Sequence, residues 1–548
     1  MQTYKKSLLL LKDLLFLVRP LAFPMMGAVF FGALGHILAT AIPSLGSYWL
    51  LTGEFNVKTG LITFGILALC RSLFRYFEQL LNHFVAFRTL AIIRDKVFRK
   101  LRDLAPAKME EKNKGELISV ISADIELMEV FYAHTISPVI IAIIHTLVLT
   151  IFMVKIHWAI GLCLLVSHLI LGVAVPIYTE KKSRDLGPIQ RKILSDLNLN
   201  ILESFKGIKE LVNFNYGDKR SQEVTEQTKK LNQATKNLTR DSGKSFGLSR
   251  LLVFALSGFF GVFAAKLYQD GQIPFNLFIF SWVIFLSSFG PTSALASLAN
   301  NLVVTLACAR RVLGLLKEDP KVDEVLGGKT FDYENFKVEK VTFSHDKTPL
   351  LDQFSMEGGK NQIIGLAGKS GCGKSSLIQL MMRFYDPEKG KINYNGINLK
   401  EINSSNLRKN IGYLSQSTHL FKGSIRDNLL IAKKGATEEE LIYACKKAAI
   451  YDFIKDLPQG LDTEIVRDQN LLSSGEMQRL SMARLFLKNP KLYLLDEPTA
   501  NVDAMTEGII LKSIYQDRQD KTILITSHRE STLRICQAVI YMQRQIRS

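Results

Sequence analysis

A glycine-rich segment in the second half of the chain has the residue types of a phosphate-binding loop. Residues 361–384 read as an apolar strand, a glycine-rich loop and a helix, and the loop fits G-x-x-x-x-G-K-[ST] from Gly368 to Ser375. Glycines let backbone N–H groups surround phosphate oxygens, and the helix directs its positive end at the anion. Lys374 is placed to reach the β- and γ-phosphates, and Ser375 to offer its hydroxyl to Mg²⁺. The predicted nucleotide contacts are Gly368, Ser370, Gly371, Cys372, Gly373, Lys374, Ser375 and Ser376.

Two adjacent acidic residues, Asp496 and Glu497, end an apolar run about 120 residues further along. The run reads as a buried strand, and a carboxylate at the carboxyl end of a parallel strand lies near a phosphate loop in folds of this type. Asp496 is placed to hold Mg²⁺, directly or through water. Glu497 is placed to polarise an attacking water. The pair predicts hydrolysis of the bound nucleotide.

The elements around these residues are typical of an α/β domain. Around residues 305–335 the composition changes from apolar to charged and passes through Pro320 and Gly327-Gly328, as at a domain boundary. From about residue 337, strand patterns alternate with helix patterns.

The first half of the chain is apolar enough to cross a membrane repeatedly. Residues 21–51 contain no charged residue apart from His36, and about 20 apolar residues suffice for one helical crossing. The amphipathic segment before them is expected along the inner membrane surface. Further apolar runs begin near Val57, Val130, His157, Ser245 and Ile273, so six spans are predicted.

The distribution of Lys and Arg predicts the orientation of these spans. The connections after the second and fourth runs are long, basic and helical in pattern, and the others are short. Cytoplasmic segments concentrate Lys and Arg, so both long connections, the N-terminus and the C-terminal half are expected in the cytoplasm. This placement explains the net charge of +18 without a nucleic-acid partner. We expect a membrane domain with cytoplasmic helical extensions at 1–318, a linker at 319–336 and a nucleotide-binding domain at 337–548.

Charged residues inside the second run fall on one helical face. Arg71, Arg75 and Glu78 are four and three residues apart, and His83 follows slightly further round. Charge within a membrane usually faces a water-filled cavity. One interpretation is a polar stripe that faces an anionic or amphipathic solute. The other is an internal Arg–Glu pair that only holds helices together.

Composition excludes several other classes of protein. The chain has 548 residues, 47% hydrophobic and 22% charged, which excludes a disordered protein and a small disulfide scaffold. Its six cysteines form no C-x-x-C pair and no zinc-binding spacing, as expected of reduced thiols in a cytosol-facing protein.

These motifs together resemble an ABC-transporter half-subunit of the exporter type, and the resemblance covers nearly the whole chain. Leu472–Glu476 resembles the ABC signature, usually LSGGQ. Gln416, His528 and Asp503 stand where the family has its Q-loop glutamine, switch histidine and D-loop aspartate. In the membrane half, the similar segments are Gly115–Asp124 and Ser204–Phe214, around the two coupling helices, and Cys308–Leu316, at the end of the sixth helix.

The resemblance implies a fold and a site. The fold is a helical membrane domain of six transmembrane helices, domain-swapped in a dimer, plus an α/β P-loop ABC ATPase domain. ATP with Mg²⁺ would bind between two ATPase domains, one supplying the phosphate loop and the other the signature. Glu497, His528 and Gln416 would be catalytic, and Ser375, Gln416 and Asp496 would hold the metal. Further nucleotide contacts would be His345, Ser473, Ser474, Gly475, Glu476 and Asp503.

Several positions depart from the family pattern. His345 replaces the Tyr that commonly stacks on adenine, and imidazole is a smaller platform. In the signature, Ser474 replaces a Gly and Glu476 a Gln; Arg467 stands where exporters typically have Glu. The chain's own catalytic side is complete, so the pattern favours a heterodimer with a second ABC half-transporter over a homodimer.

The expected function is ATP-driven export of a small molecule across the cytoplasmic membrane, with the ATPase domain in the cytoplasm. Segments of the membrane half resemble thiol-reductant exporters linked to cytochrome bd assembly, which implies cysteine or glutathione as the solute. The alternatives are a lipid or multidrug exporter, or an ATP-gated membrane regulator that transports nothing.

Overall fold

The computed structural model describes residue 10 and residues 12–53, 56–112, 114–183, 186–345, 348–465, 472–500 and 502–543. The chain divides into two compact units. The first comprises Met1–Arg102 and Lys112–Glu318, and the second comprises Asp103–Glu111 and Asp319–Ser548.

The first unit is entirely helical in its described regular elements. After a helical segment at 12–18 and a tight turn at Arg19–Leu21, its helices are α1 (Ala22–Thr52), α2 (Val57–Leu104), α4 (Lys114–Ser119), α5 (Ser137–Ile156), α6 (Trp158–Leu169), α7 (Val175–Ser183), α8 (Leu186–Lys206), α9 (Ile208–Asn213), α10 (Gly217–Gln269), α11 (Phe275–Ser287) and α12 (Gly290–Leu316); α3 (Ala107–Glu111) belongs to the second unit. Short helical turns join α4 to α5 and α6 to α7.

Within the described residues, six helical stretches are long and apolar enough to cross a membrane. They are Lys12–Thr52, Val57–Leu104, Leu117–Ile156, Trp158–Thr179, Gly217–Gln269 and Phe275–Leu295. The predicted number of spans is therefore confirmed. The second and fifth stretches, at 48 and 53 residues, exceed what a bilayer needs.

Apolar packing and short turns hold the spans together. α1 packs against α5 and α11, and α5 packs against α6. His157 adopts an extended conformation between α5 and α6, and its Nδ1 accepts a hydrogen bond from the backbone N–H of Ala159, which caps α6. The rings of Phe260 on α10 and Phe285 on α11 stack at 4.0 Å between centroids.

The connection after the second span has parts in both units. Gly115–Asp124, which resembles the first coupling region, lies in the first unit. α3 belongs to the second unit, where Ala107 is buried in the apolar core and its carbonyl oxygen accepts a hydrogen bond from the hydroxyl of Tyr385. The coupling role of Gly115–Asp124 stays a prediction.

The second unit alternates strands and helices. Its strands are β1 (Asn335–His345), β2 (Thr348–Gly359), β3 (Gln362–Ala367), β4 (Lys389–Tyr394), β5 (Ile397–Asn398), β6 (Ile411–Leu414), β7 (Gly423–Ser424), β8 (Glu464–Ile465), β9 (Leu492–Asp496), β10 (Thr522–Thr526) and β11 (Ala538–Tyr541). Its remaining helices are α13 (Lys374–Met381), α14 (Ser404–Asn410), α15 (Ile425–Leu430), α16 (Glu438–Lys447), α17 (Tyr451–Asp456), α18 (Ser474–Lys488), α19 (Ala504–Gln516) and α20 (Glu530–Leu533).

Two main sheets build this unit. The antiparallel sheet has the order β2-β1-β4-β5, and the parallel sheet has the order β11-β3-β10-β9-β6. β9 and β10 are buried at every position, as expected for a parallel sheet covered on both faces. One apolar core joins the two sheets, and a second lies among α15, α16 and α18. The predicted α/β domain is confirmed.

Candidate functional site

The phosphate loop connects β3 to α13, and its glycines adopt conformations that other residues avoid. Gly368, Gly371 and Gly373 have φ of 152°, 78° and 97°. A Cβ on Gly373 would lie 2.8 Å from the carbonyl oxygen of Leu350, and a Cβ on Gly368 would lie 2.4 Å from that of Met542. The loop is thus closely packed from outside, and glycine is the residue that fits.

The order of the parallel strands explains why residues far apart in sequence meet. β3 leads into the phosphate loop, β10 into His528, β9 into Glu497 and β6 into Gln416. These strands are neighbours in the order β3-β10-β9-β6, and all run parallel. Their carboxyl ends lie at one edge of the sheet, so the four segments are delivered to that edge in strand order.

The side chains make contacts in the same order. Nζ of Lys374 lies 3.2 Å from Nε2 of His528, and that nitrogen lies 3.2 Å from Oε1 of Glu497. Nε2 of Gln416 donates to Oε2 of Glu497 at 3.1 Å. A neutral imidazole nitrogen either accepts from the lysine or donates to the carboxylate. The tautomer of His528 therefore decides which of the two contacts is a hydrogen bond.

Lys374 is held at the mouth of the loop. Its side chain is buried, and Nζ donates to the carbonyl oxygens of Gly368 at 2.8 Å and Lys369 at 3.3 Å. Ser375, at the start of α13, is exposed. The loop thus places a buried lysine beside an accessible hydroxyl, and their roles toward phosphate and Mg²⁺ stay predictions.

Two supporting residues were not among the sequence-predicted ones. Thr526 ends β10 directly opposite Asp496, and its hydroxyl donates to Oδ1 of that carboxylate at 2.6 Å. Nε2 of Gln478, on α18, donates to the carbonyl oxygen of Glu497 at 2.8 Å. A polar residue at the end of a buried strand was the available signal for Thr526. Gln478 lies inside a helix and carried no such signal.

A buried carboxylate, Glu507 on α19, joins two loops of the site. It accepts hydrogen bonds from the hydroxyls of Thr499, Ser531 and Thr532 and from the guanidinium of Arg529. Arg529 also donates to the carbonyl oxygen of Ala500 at 2.9 Å. Burial opposes ionisation of Glu507, but these hydrogen bonds outweigh it and hold its pKa below the ordinary value. The segment after Glu497 is thereby tied to the segment after His528.

The signature segment begins α18 with a capping box. The hydroxyl of Ser473 accepts from the backbone N–H of Glu476 at 3.3 Å, and the carboxylate of Glu476 accepts from the backbone N–H of Ser473 at 2.7 Å. Ser474 is exposed and Gly475 is half-buried. The carboxylate of Glu476 is therefore held at the helix N-terminus.

Asp503 is predicted to contact the nucleotide, and the structure shows that it also has a local structural role. Its Oδ1 accepts from the backbone N–H groups of Met505 and Thr506, at 3.1 and 3.0 Å, and so caps α19. The hydrogen bonds from Thr506 lower its pKa. The backbone of His345 ends β1. The side chain of His345 and the whole of Arg467 and Asn501 lie outside the described part of the structure.

The residues at this edge suit a hard cation bound together with a nucleotide. Ser375, Gln416 and Asp496 offer hydroxyl, amide and carboxylate oxygens, and Mg²⁺ prefers oxygen ligands and commonly takes one or two carboxylates plus phosphate oxygens. In the described part of the chain no group of three or more His, Cys, Asp or Glu side chains could hold a metal by itself. The donor set therefore fits a metal that arrives with phosphates.

Fold and site together define a membrane protein with a P-loop ATPase domain, and comparisons with known proteins identify its family. Residues 351–500 match the ABC transporter family, and residues 21–292 match the ABC transporter transmembrane region. The chain is 38% identical to a probable ABC transporter ATP-binding/permease protein of Haemophilus influenzae, over 98% of both chains.

More distant relatives are named for different substrates. At 27% identity the chain is similar to the glutathione/L-cysteine transport system protein CydC of Escherichia coli, covering 93% of this chain and 92% of that protein. At the same identity it is similar to a putative multidrug export protein of Bacillus subtilis, covering 88% and 84%. Its fold is similar to a bacterial Atm1-family ABC exporter with ATP bound, with a TM-score of 0.85 and 21% identity over 95% of this chain and 93% of that one.

The chain belongs to the ABC transporter family. It is an exporter-type half-transporter in which a six-span membrane domain is fused ahead of the ATPase domain. It is a multi-pass protein of the cytoplasmic membrane that binds ATP and couples its hydrolysis to transport. Half-transporters of this family act as dimers.

Proposed function

We propose that this chain is one half of a heterodimeric ABC exporter and that the solute is a thiol compound such as cysteine or glutathione. The similarity to the Escherichia coli glutathione/L-cysteine transporter supports this substrate class. The equal similarity to the Bacillus subtilis protein makes multidrug export the second candidate.

The proposed hydrolytic step uses the residues at the edge of the parallel sheet. Ser375, Gln416 and Asp496 would hold Mg²⁺, which neutralises charge on the phosphates. Glu497 orients the attacking water, and Lys374 and His528 stabilise charge on the γ-phosphate. The unbroken series of contacts from Lys374 through His528 and Glu497 to Gln416 is the observation that carries this assignment.

The rest of the ATP site would come from both halves of the dimer. His345 would stack on adenine, and the phosphate loop would hold the triphosphate. The opposite half would contribute its signature loop, as this chain contributes Ser473, Ser474, Gly475 and Glu476, with Asp503 nearby, to the other site. N–H groups at a helix start can then bind the γ-phosphate from the far side, so that ATP joins the two ATPase domains.

An apolar surface at the far end of the second long connection supports a swapped dimer. Phe205, Val212 and Phe214, on and beside α9, are 71%, 74% and 74% exposed in a segment assigned to the cytoplasm. Arg220 makes this turn rigid by donating to Ser204 at 2.8 Å and to Asn200 at 2.9 Å. An exposed apolar surface of this kind typically marks a protein–protein interface. We assign the ATPase domain of the second half-transporter as the protein that binds there.

The position of Glu476 supports an asymmetric dimer. Its carboxylate is held at the N-terminus of α18, where the γ-phosphate bound by the opposite half would approach. The negative charge of this carboxylate repels a phosphate. The carboxylate also occupies the backbone N–H of Ser473, which could otherwise bind a phosphate oxygen. Ser474 adds a Cβ at the same place. This chain therefore contributes a complete catalytic side and a weakened signature, and a partner with an intact signature would complement it.

Transport by inverted membrane vesicles tests the proposal. Vesicles containing both subunits receive labelled cysteine, glutathione, haem, a lipid or a dye, with and without Mg-ATP. Accumulation of cysteine or glutathione that needs ATP and disappears in Glu497→Gln is the expected result. ATP-driven accumulation of the dye or lipid instead would establish the alternative class, and ATP hydrolysis without uptake of any of them would reject export.

A further inference from the structure

One face of α2 is polar at a depth where the membrane is apolar. Arg71, Arg75, Glu78 and Asn82 follow one another at intervals of four, three and four residues, so they share a face of the helix. The exposed apolar side chains on the opposite face are Ile66, Leu69, Leu73 and Leu80. The apolar face suits lipid, and the polar face is therefore directed toward the interior of the transporter.

The packing of α1 against α2 places this polar face near the middle of the bilayer. A Cβ on Gly35 would lie 3.8 Å from the backbone nitrogen of Arg75, and a Cβ on Gly32 would lie 3.0 Å from Cγ of Glu78. Gly32 and Gly35 lie close to the middle of α1, which runs from Ala22 to Thr52. The charged part of α2 is thus not at the membrane boundary.

The charges on this face do not cancel. Nη1 of Arg75 donates to Oε2 of Glu78 at 2.6 Å, and the Glu78 side chain is 3% exposed, whereas that of Arg75 is 53% exposed. Arg71 is exposed and has no ion pair or hydrogen bond with any residue that the structure describes. The Arg–Glu pair, which is one of the two interpretations of this face, is therefore present. It does not balance the charge, because Arg71 remains without a negative partner among the described residues. An unpaired Arg at this depth is costly unless water or an anion accompanies it.

A polar wall lies behind the two arginines. His36 on α1 lies within electrostatic range of both guanidinium groups. Its ring is 6.2 Å from that of His145, which is 6.4 Å from that of His168. The hydroxyl of Thr40 lies 3.2 Å from Nε2 of His145. These imidazole and hydroxyl groups lie on three helices, α1, α5 and α6, and make the bundle polar next to the two arginines.

A second copy of this chain does not supply the missing negative charge. Within the apolar runs at residues 21–51, 57–90, 130–156, 157–179, 245–269 and 273–295, Glu78 is the only carboxylate among the described residues, and it already pairs with Arg75. The remaining sources are a partner of different sequence or the transported solute. The partly exposed His36, which lies within electrostatic range of Arg71 and Arg75, favours the solute.

We propose that Arg71 and Arg75 form the anion-binding part of the solute site and that the exported solute carries a carboxylate. This inference rests on the proposed export function and adds the chemical group of the solute that the site would recognise. A water-soluble anion such as glutathione and a lipid-derived one such as a fatty acid share the carboxylate, and separate probes distinguish them.

Binding to the purified two-subunit complex in lipid nanodiscs tests the site without transport. Isothermal titration uses glutathione, glutathione diethyl ester, whose carboxylates are blocked, and oleate. Arg71→Gln is expected to weaken binding of the recognised carboxylate at least tenfold. The diethyl ester is expected to bind the parent protein weakly, with about the affinity that free glutathione has for Arg71→Gln. Arg75→Gln combined with Glu78→Gln, which leaves no buried unpaired carboxylate, is expected to act in the same direction.

Arg88→Gln is the matched control, because Arg88 is an exposed arginine on the same helix about 25 Å further toward the cytoplasm. It is expected to bind like the parent. Arg71-dependent binding of oleate alone would support the site with a lipid-derived solute. If the parent binds neither anion, or if Arg71→Gln binds both as tightly as the parent, the proposal is overturned.

Two further readouts separate this proposal from the export function. Subunit dissociation of Arg71→Gln in native mass spectrometry, with anion binding unchanged, would show that Arg71 pairs with the partner and would overturn the site. ATP-driven uptake with the same KM in parent and Arg71→Gln would reject the site and leave export standing. Arg71-dependent binding without ATP-driven uptake would support the site and reject export.

Discussion

Glu497 occupies a backbone conformation that a glutamate seldom adopts. Its φ is 50°, in the left-handed region. Its N–H donates to the carbonyl oxygen of Thr526 at 3.1 Å, and its own carbonyl accepts from Gln478 at 2.8 Å. These bonds hold the strained residue in place, so its carboxylate projects from the end of β9 toward Gln416 and His528.

Replacing the Glu497 carboxylate by an amide tests its role. Glu497→Gln is expected to retain ATP binding and to lose about 10²–10⁴-fold in hydrolysis at this site, because the amide cannot act as a base toward water. ATP turnover is measured in the full complex with the partner's site disabled, and nucleotide binding with a fluorescent ATP analogue. Glu530→Gln, at an exposed glutamate, is the control. Unchanged turnover in Glu497→Gln would show that another residue is the base.

At the scale of elements, the loops after β9 and β10 depend on one buried carboxylate. Glu507 receives side-chain hydrogen bonds from Thr499 and Arg529 in these two loops. It receives two more from Ser531 and Thr532 in α20, which follows directly. The loops carry Glu497 and His528, so the relative position of the two predicted catalytic residues depends on a residue of α19 that touches neither.

Glu507→Gln is expected to destabilise the complex by about 1–3 kcal/mol at pH 7, since hydrogen bonds to a charged acceptor are lost. The folded state holds the pKa of Glu507 below its ordinary value, so the unfolded chain binds more protons and this contribution exists above the unfolded pKa. It is lost as pH falls through the lowered pKa. The melting temperatures of parent and variant in nanodiscs should therefore differ at pH 7 and converge below about pH 4.

An equal melting temperature for Glu507→Gln and the parent at pH 7 would mean that the carboxylate is not a structural link. Glu530→Gln again serves as the control, because its carboxylate is 90% exposed and its ion pair with Arg534 spans 4.0 Å. Its removal is expected to leave the melting temperature unchanged.

At the scale of the whole molecule, one chain carries one phosphate loop and one signature segment, and they serve different nucleotides in the proposed dimer. In that dimer, the changes at Ser474 and Glu476 would lie on the side offered to the partner. The predicted catalytic residues from Lys374 to His528 would form a complete catalytic side. This distribution is what a division of labour between two different chains would produce.

Native mass spectrometry of the complex from its source membrane tests the division of labour. The expected spectrum contains this chain of 61.7 kDa and one different subunit of similar size in a 1:1 ratio. A dimer whose mass is twice that of this chain would contradict the heterodimer. The ATP sites would then be identical, and the altered signature would be a tolerated change.

Much of this protein could be predicted from local sequence. The glycine loop, the acidic end of β9 and the apolar runs each carry their physical reason within about 25 residues, because phosphate binding, strand burial and membrane crossing are decided over short segments. The six spans and the α/β domain were predicted in this way and are confirmed. The role of each site residue stays a prediction, although the structure brings Lys374, His528, Glu497 and Gln416 together.

Only the tertiary structure decided how these segments are arranged. The order β3-β10-β9-β6 sets the sequence of contacts at the site, and pairing between strands far apart in the chain leaves no local signature. The same reason hid the contacts of Gln478 and Glu507, which act across elements, and the burial of Ala107 in the core of the second unit. Likewise, the spacing of Arg71, Arg75 and Glu78 showed a shared face, but the packing of α1 against α2 showed its depth and left Arg71 without a partner among the described residues.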